Sequence, residues 1–455
     1  MFVKIAAAII PLAVAVPAPA AGMTAGATTQ TCAPIGVSAP SGAKVESVTA
    51  VAQSSFCDIT VTLNHKGAND HVRVKVLLPT GWNGRFQAIG GAGYSAGDFG
   101  AGLTAAAAGG YAAASTDAGV PLDFLDTSWG LLPDGRVNHQ LLENFASRSL
   151  HDLAVVGKQV TQKFYGRMAS YSYWNGCSTG GRQGYMEAQR FPDDFDGILA
   201  TAPAVSWDRF AVATIWPQVV MNEENNFPSP CEFKAFQDAV LRGITDPKQL
   251  IGKKILCEGK EITISAADAD VVKKIWDGPQ PLWAGLPRGA SFDGLAATAQ
   301  DAQGNWFAPG FPIAANWIKT FVKQDPGFDT SKLTYRDFYA VFFASQLKYN
   351  HIIGTDSADL SAFRRSGGKL LTWHGLADQL IPPHGTVNYR KQVDRVMGGH
   401  QRVDEFYRVF LAPGVAHCQG GPVPVDAFGA LVNWVEHGKA PETLPASDGS
   451  QIPRY

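Results

Sequence analysis

Apolar and polar positions alternate along Asp58 to Leu63 and, more regularly, along Val72 to Leu78 ahead of Pro79. A period of two marks a strand with one buried face. Phe86 to Ile89 is a further short strand running straight into Gly90-Gly91-Ala92-Gly93-Tyr94, and Tyr111 to Thr116 is another, closing on Asp117. The period then lengthens: His151 to Tyr165 spaces Leu153, Val156, Val160 and Phe164 as a helix does, and Gln183 to Arg190 is a second amphipathic helix. Tyr171 to Trp174, between them, has the aromatic content of a strand end. Phe195 to Pro203, Gly368 to Gly375 and Phe406 to Leu411 predict the remaining strands. Strands alternating with helices imply an α/β fold with a mostly parallel sheet.

One long interval breaks that rhythm. From Val205 to about residue 350, Trp, Phe, Pro and Asn are frequent and strand signals fade, as in a lid inserted into an α/β core. The expected division is therefore core over 31–204, lid over 205–350 and core again over 351–455. Ahead of it, Lys4, the apolar run Ile5 to Val16 and Ala18-Pro19-Ala20 have the charge, length and cleavage site of a secretory signal peptide over residues 1–20. The run is too short for a comfortable membrane span, so no span is expected in the mature chain. Ala21 to Gln30 is a small-residue spacer.

Composition changes this picture in two respects. A net charge of −2 over 455 residues gives no electrostatic reason to expect nucleic acid or an anionic membrane as partner. The cysteines, Cys32, Cys57, Cys177, Cys231, Cys257 and Cys418, are even in number, which in an exported chain favours disulfides and a secreted or periplasmic location. Six cysteines allow 15 pairings, and sequence order alone selects none.

The chemistry centres on Gly176-Cys177-Ser178-Thr179-Gly180. It fits G-x-S-x-G, the strand-to-helix elbow that holds a strained serine clear of the backbone. The matching fold is the α/β-hydrolase, in which nucleophile, acid and histidine follow in that chain order after strand ends. Ser178, Asp378 and His417 meet both conditions: His417 takes the serine proton, and Asp378 fixes the imidazole tautomer and stabilises the imidazolium. The oxyanion needs two N–H donors, expected from Thr179 and from the Gly90 to Gly93 loop at Gly91.

Other residues compete for these roles. His374 lies only four residues before Asp378 and is expected in the floor of the site. Asp117 is a candidate structural acid near the elbow. Cys177 is disfavoured as nucleophile because the strained position of the motif is Ser178. His384 and Asp394 are expected at the surface. Trp207, Phe210, Trp216, Trp283, Trp306 and Trp317 either line an aromatic pocket or pack the core of the lid, and both readings stay open.

Taken together these stretches resemble the tannase and feruloyl esterase family, whose relatives include the bacterial hydrolase of mono(2-hydroxyethyl) terephthalate. The resemblance rests on Trp82-Asn83-Gly84-Arg85, Ser115-Thr116-Asp117, Tyr173 to Gly184 around the elbow, His374-Gly375-Leu376-Ala377-Asp378 and Pro413-Gly414-Val415-Ala416-His417-Cys418. It implies a Ser178, Asp378, His417 triad, a Cys177–Cys418 disulfide joining the neighbours of nucleophile and base, and a Cys32–Cys57 bridge, leaving Cys231 with Cys257. The implied activity is that of an exported serine carboxylesterase on phenolic or other aromatic acid esters. Feruloyl-type esters are favoured over galloyl esters and terephthalate monoesters; a non-catalytic binding protein on the same scaffold is the rival from another class. The oligomeric state is left open. Relatives usually carry an Asp-rich calcium loop in the lid. Here the nearest stretch, Asp238 to Asp246, has Arg242 where a carboxylate belongs, so a calcium ion is doubtful and no cofactor is expected.

Overall fold

The computed structural model describes residues 31–455, so the expected signal peptide at 1–20 and its spacer lie outside the described residues. Strands β1 (Ala43–Ala52), β2 (Phe56–His65) and β3 (Val72–Pro79) form an antiparallel meander. They are followed by β4 (Arg85–Ile89), β5 (Ala112–Thr116), β6 (Tyr171–Cys177) and β7 (Gly197–Thr201). The long interval supplies two small hairpins, β8 (Lys254–Cys257) with β9 (Lys260–Thr263) and β10 (Ala299–Gln300) with β11 (Trp306–Phe307). The main sheet then resumes with β12 (Lys369–Gly375) and β13 (Tyr407–Ala412).

In space the nine strands of that sheet run β1-β2-β3-β5-β4-β6-β7-β12-β13, and every pairing from β5 to β13 is parallel. The chain leaves β4 to one side for β5 and returns to the other side for β6. This reversal opens a crevice at the carboxyl ends of β4 and β6, where α/β sheets place their ligands. The architecture is the α/β-hydrolase fold.

Both faces of the sheet are covered. On one, Leu153, Val156 and Val160 of helix Ser149–Tyr165 are fully buried among Phe86, Ala88, Ala114 and Trp174, each worth about 1.5–3 kcal/mol of burial. On the other lie helices Ala101–Ala108 and Ala427–His437, with Leu103 and Leu431 as buried anchors. The first of these was not foreseen: Ala-Gly-Leu-Thr-Ala-Ala-Ala-Ala has almost no polar contrast to carry a period.

The interval from 205 onward enters between β7 and β12, which pair directly. It is mostly helical, ending in the 19-residue helix Tyr335–Ile353. Its buried aromatics, including Trp207, Phe210, Trp317 and Phe321, form one cluster with Tyr94, Trp129 and Phe145 from the earlier chain. Three disulfides are present: Cys32–Cys57, Cys177–Cys418 and Cys231–Cys257. Among the described residues no helix is long and apolar enough to cross a membrane. The Asp238 to Asp246 stretch does not fit a calcium ion: Asp238 is ion-paired with Lys234 on a helix, Asp246 accepts the Lys248 N–H, and Arg242 adds a positive charge between them.

A charged cluster is buried at the end of β2. His65 Nδ1 lies 2.6 Å from Asp70 and Nε2 lies 2.9 Å from Asp152, which sits on helix Ser149–Tyr165. Burial alone would lower the His65 pKa, but hydrogen bonds to Asp152 and Asp70 outweigh it and raise it to about 9. Burial would raise the Asp70 pKa, but its bonds with His65 and Asn144 hold it well below the carboxylate range.

Candidate active site

Ser178 sits between β6 and helix Thr179–Arg190 with φ 64° and ψ −119°, a conformation that a non-glycine residue adopts only under constraint. The constraint is visible in its neighbours. A Cβ on Gly176 would come within 2.5 Å of Gly180, and one on Gly181 within 2.4 Å of the Thr201 carbonyl, so both positions need glycine for the turn to close. The Ser178 N–H donates to Thr201 at the end of β7, tying the elbow to the next strand. The helix behind it points its positive end at the serine.

Asp378 and His417 come together as expected. His417 Nδ1 lies 2.8 Å from Asp378 Oδ2, and because the carboxylate accepts, Nδ1 is the nitrogen that carries a proton. Asp378 is fully buried. Burial would push its pKa up, but the bonds with His374 and His417 win and hold it well below the usual carboxylate range, so it remains ionised. Its other oxygen accepts the N–H groups of Leu380 and Ile381 at 2.9 and 2.8 Å. His374 lies in the floor of the site: Nε2 donates to the Ile381 carbonyl at 2.8 Å and approaches Asp378 at 3.2 Å, and Nδ1 meets Thr386 at 2.8 Å. Asp117 belongs elsewhere, held by Arg73 and the Gly119 N–H. His384 is exposed, and Asp394 is paired with the buried Arg390.

The expected oxyanion donor Gly91 has to be corrected. Its N–H already donates to Gln183 Oε1 at 2.9 Å, and Gly91 is buried beneath the loop. Ala92, the next residue, is exposed on the loop, lines the cleft, and its N–H has no protein partner among the described residues. The loop is fixed against the elbow, because Gly180 N–H donates to the Gly91 carbonyl at 2.9 Å and Thr179 Oγ1 to that of Gly93 at 2.7 Å. Gln183 completes the anchor by donating to Ala96 O at 2.9 Å. Its place in the elbow motif was legible, but its reach back to the β4 loop was not.

Ser178, Thr179, Ala92 and His417 all line one cleft of about 420 Å³, within the usual range for small-molecule sites. Its walls are apolar: Phe124 and Leu125 from the early core, and Trp207, Phe210, Phe311, Pro312 and Ile313 from the inserted segment. Of the tryptophans singled out from the sequence, Trp207 alone lines this cleft; Trp317 packs behind it and Trp216 packs against Phe338. Phe311 to Ile313 carried no signal beyond apolar character. The Cys177–Cys418 disulfide joins the residues beside Ser178 and His417, with Cys418 Sγ 4.0 Å from His417 Nε2. Cys177, His417 and Cys418 bring ligand-type atoms close together, but bonded sulfurs offer no thiolate to a metal.

The same arrangement of chain is found in known proteins. The family profile described as tannase and feruloyl esterase matches residues 57–452. A protein of Arthroderma benhamiae described as "Probable feruloyl esterase" is 49% identical over 422 residues, covering 86% of this chain and 78% of that one. An Aspergillus terreus protein described as "Probable feruloyl esterase B-2" is 34% identical over 353 residues; the match covers 67% of this chain and 63% of that protein's length. Among solved structures, the tannin acyl hydrolase from Aspergillus niger superposes with a TM-score of 0.82 at 25% identity, covering 91% of this chain and 89% of that one. The chain belongs to the tannase and feruloyl esterase family.

Proposed function

We propose that the protein is an exported serine carboxylesterase that hydrolyses esters of phenolic or other aromatic acids, feruloyl-type esters first. The observation that carries this reading is an elbow serine in a strained conformation sharing an apolar cleft with a histidine whose Nδ1 lies 2.8 Å from a buried carboxylate oxygen. In this mechanism His417 Nε2 takes the Ser178 proton as Oγ attacks the ester carbonyl. The tetrahedral oxyanion is stabilised by the N–H groups of Thr179 and Ala92. Collapse breaks the bond to the alcohol oxygen, which leaves with the proton from His417. Water, activated by the same histidine, then attacks the acyl-enzyme and releases the aromatic acid. No cofactor takes part.

The segment 205–350 acts as a lid supplying the acyl pocket, since Trp207, Phe210 and Phe311 present aromatic surface to an aromatic acid. The preference for feruloyl-type esters is supported by the 49% identity to a relative so described. Three disulfides support an oxidising, extracytoplasmic location. The test is turnover of methyl ferulate, methyl gallate and a terephthalate monoester, alongside labelling by a fluorophosphonate. Turnover with methyl ferulate as the best substrate is expected; absence of both turnover and labelling would mean a binding protein on the esterase scaffold.

A further inference from the structure

Arg182 is a fully buried cation that makes no ion pair among the described residues. Its guanidinium donates instead to the Ala146 carbonyl at 2.9 Å, the Phe145 carbonyl at 3.2 Å and Thr355 Oγ1 at 3.4 Å, and its Nε has no partner among the described residues. Burial pushes its pKa down to about 9, which still leaves it charged at neutral pH. Sealing a charge inside a protein without a counter-ion is costly. Stability alone therefore does not account for an arginine here.

Three parts of the fold meet at this guanidinium. It projects from the first turn of helix Thr179–Arg190, where the Arg182 backbone N–H donates to the Ser178 carbonyl at 3.0 Å, so it is anchored to the nucleophile's own turn. The two carbonyls it holds belong to the single π turn Asn144–Arg148. Its third acceptor, Thr355, lies just past the exit of the inserted segment, and Gln189 of the same elbow helix donates to the Thr355 carbonyl at 3.2 Å. At the entrance, Arg182 Cζ lies 5.9 Å from the centre of the Trp207 ring and 5.5 Å from that of Phe145, distances at which a cation is drawn to an aromatic face. The chain is constrained at both ends of the segment: Ser206 has φ 56° and Thr355 φ 55°, left-handed values that such residues hold only when their surroundings fix them. Trp207 also meets the rings of Tyr94, Phe145, Phe210 and Trp317 edge-on. Those rings come from the β4 loop, the π turn and the inserted segment, whereas Arg182 reaches the indole from the helix that begins at Ser178.

We propose that Arg182 is a positioning residue for substrate specificity: it clasps both ends of the inserted segment to the elbow helix and so holds Trp207, a wall of the cleft, in register with Ser178. The proposal rests on the esterase reading above. It is tested with methyl ferulate and with p-nitrophenyl acetate, whose acyl group is too small to reach Trp207, in Arg182→Met, which keeps the length without the charge, and Arg182→Lys, which keeps the charge without the fork. Both variants are expected to label with the fluorophosphonate at the wild-type rate. KM for methyl ferulate should rise about fivefold to tenfold in Arg182→Met and roughly twofold to fourfold in Arg182→Lys, with kcat/KM for p-nitrophenyl acetate changed by less than about twofold. Trp207→Leu should raise the ferulate KM by itself, and adding Arg182→Met to it should raise KM no more than about twofold further, because the arginine acts through the indole. Equal losses on both esters, slowed labelling, an unchanged ferulate KM, or full additivity with Trp207→Leu would overturn the positioning role while leaving the esterase intact. If Arg182→Met does not fold, the same cycle with Arg182→Lys decides by the same outcomes. A wild-type protein that neither cleaves these esters nor labels would overturn the esterase reading, and the role of Arg182 with it.

Discussion

Cutting the Cys177–Cys418 disulfide should separate what the strands hold in place from what the bridge holds. Ser178 follows β6 and His417 follows β13, with β7 and β12 between them in the sheet. Three strand spacings put the two strand ends roughly 14 Å apart, yet the two side chains must come within about 2.6–3.2 Å for proton transfer. The Pro413 to Gln419 loop must therefore cross two strands. It has anchors of its own: Ala377 N–H donates to Val415 O, His417 N–H to Gln379 Oε1, and His417 Nδ1 meets Asp378. All of these tie the loop to the end of β12, and among the described residues only the disulfide ties it directly to the elbow. In the Cys177→Ala, Cys418→Ala double variant the histidine and aspartate should stay paired while the serine drifts. A misplacement of about 1 Å can cost on the order of a hundredfold in rate. kcat should fall by about that factor, with KM changed much less. The bridge spans 241 residues, for which loop-closure entropy gives a stability loss of at most about 5.5 kcal/mol. Steady-state kinetics and urea denaturation on the same preparations measure both effects. A stably folded double variant with wild-type kcat would show that the β12 anchors alone set the register and would refute the reasoning.

Other outcomes follow from the same geometry. Replacing Gln183 with Leu keeps its bulk but frees the β4 loop, so kcat should drop by about tenfold to a hundredfold while KM stays close to wild type, the mark of lost oxyanion stabilisation; an unchanged kcat would mean that the Gly180–Gly91 bond suffices. Removing one aromatic wall by Phe311→Ala should raise KM for aromatic acid esters about tenfold without slowing fluorophosphonate labelling, whereas slowed labelling would place part of the machinery in the inserted segment. The raised pKa of His65 adds stability that is fully present below its unfolded value near 6.5 and lost as pH rises through about 9. Denaturant midpoints should therefore decline across that window, and His65→Gln should flatten the decline; a midpoint in the wild type that does not change from pH 6 to 10 would show that the cluster contributes nothing.

The sequence carried the site further than it carried the frame around it. Ser178, Asp378 and His417 stood out because each belongs to a short motif at a strand end; in the fold Asp378 pairs with His417, and Ser178 and His417 line one cleft. The alternating strand Val72 to Leu78 and the helix through Leu153, Val156 and Val160 were legible because one face of each is buried. Helix Ala101–Ala108 was not, since a run of alanines is apolar on every side. That the Gly91 N–H, expected as an oxyanion donor, is taken up by Gln183 was not legible, because the Gln183 side chain reaches across 92 residues of sequence. Phe311 to Ile313 reach the cleft only through the packing of the inserted segment, which no local period encodes.

The central claim, that Ser178 is an activated nucleophile served by His417, is met most directly by peptide mapping after fluorophosphonate treatment, together with turnover of methyl ferulate. The phosphonyl mass should appear on the peptide containing Ser178 in the wild-type protein, and Ser178→Ala should lose both the label and roughly five to six decades of kcat. Labelling at another residue, or a Ser178→Ala variant that keeps even a tenth of wild-type turnover, would contradict it.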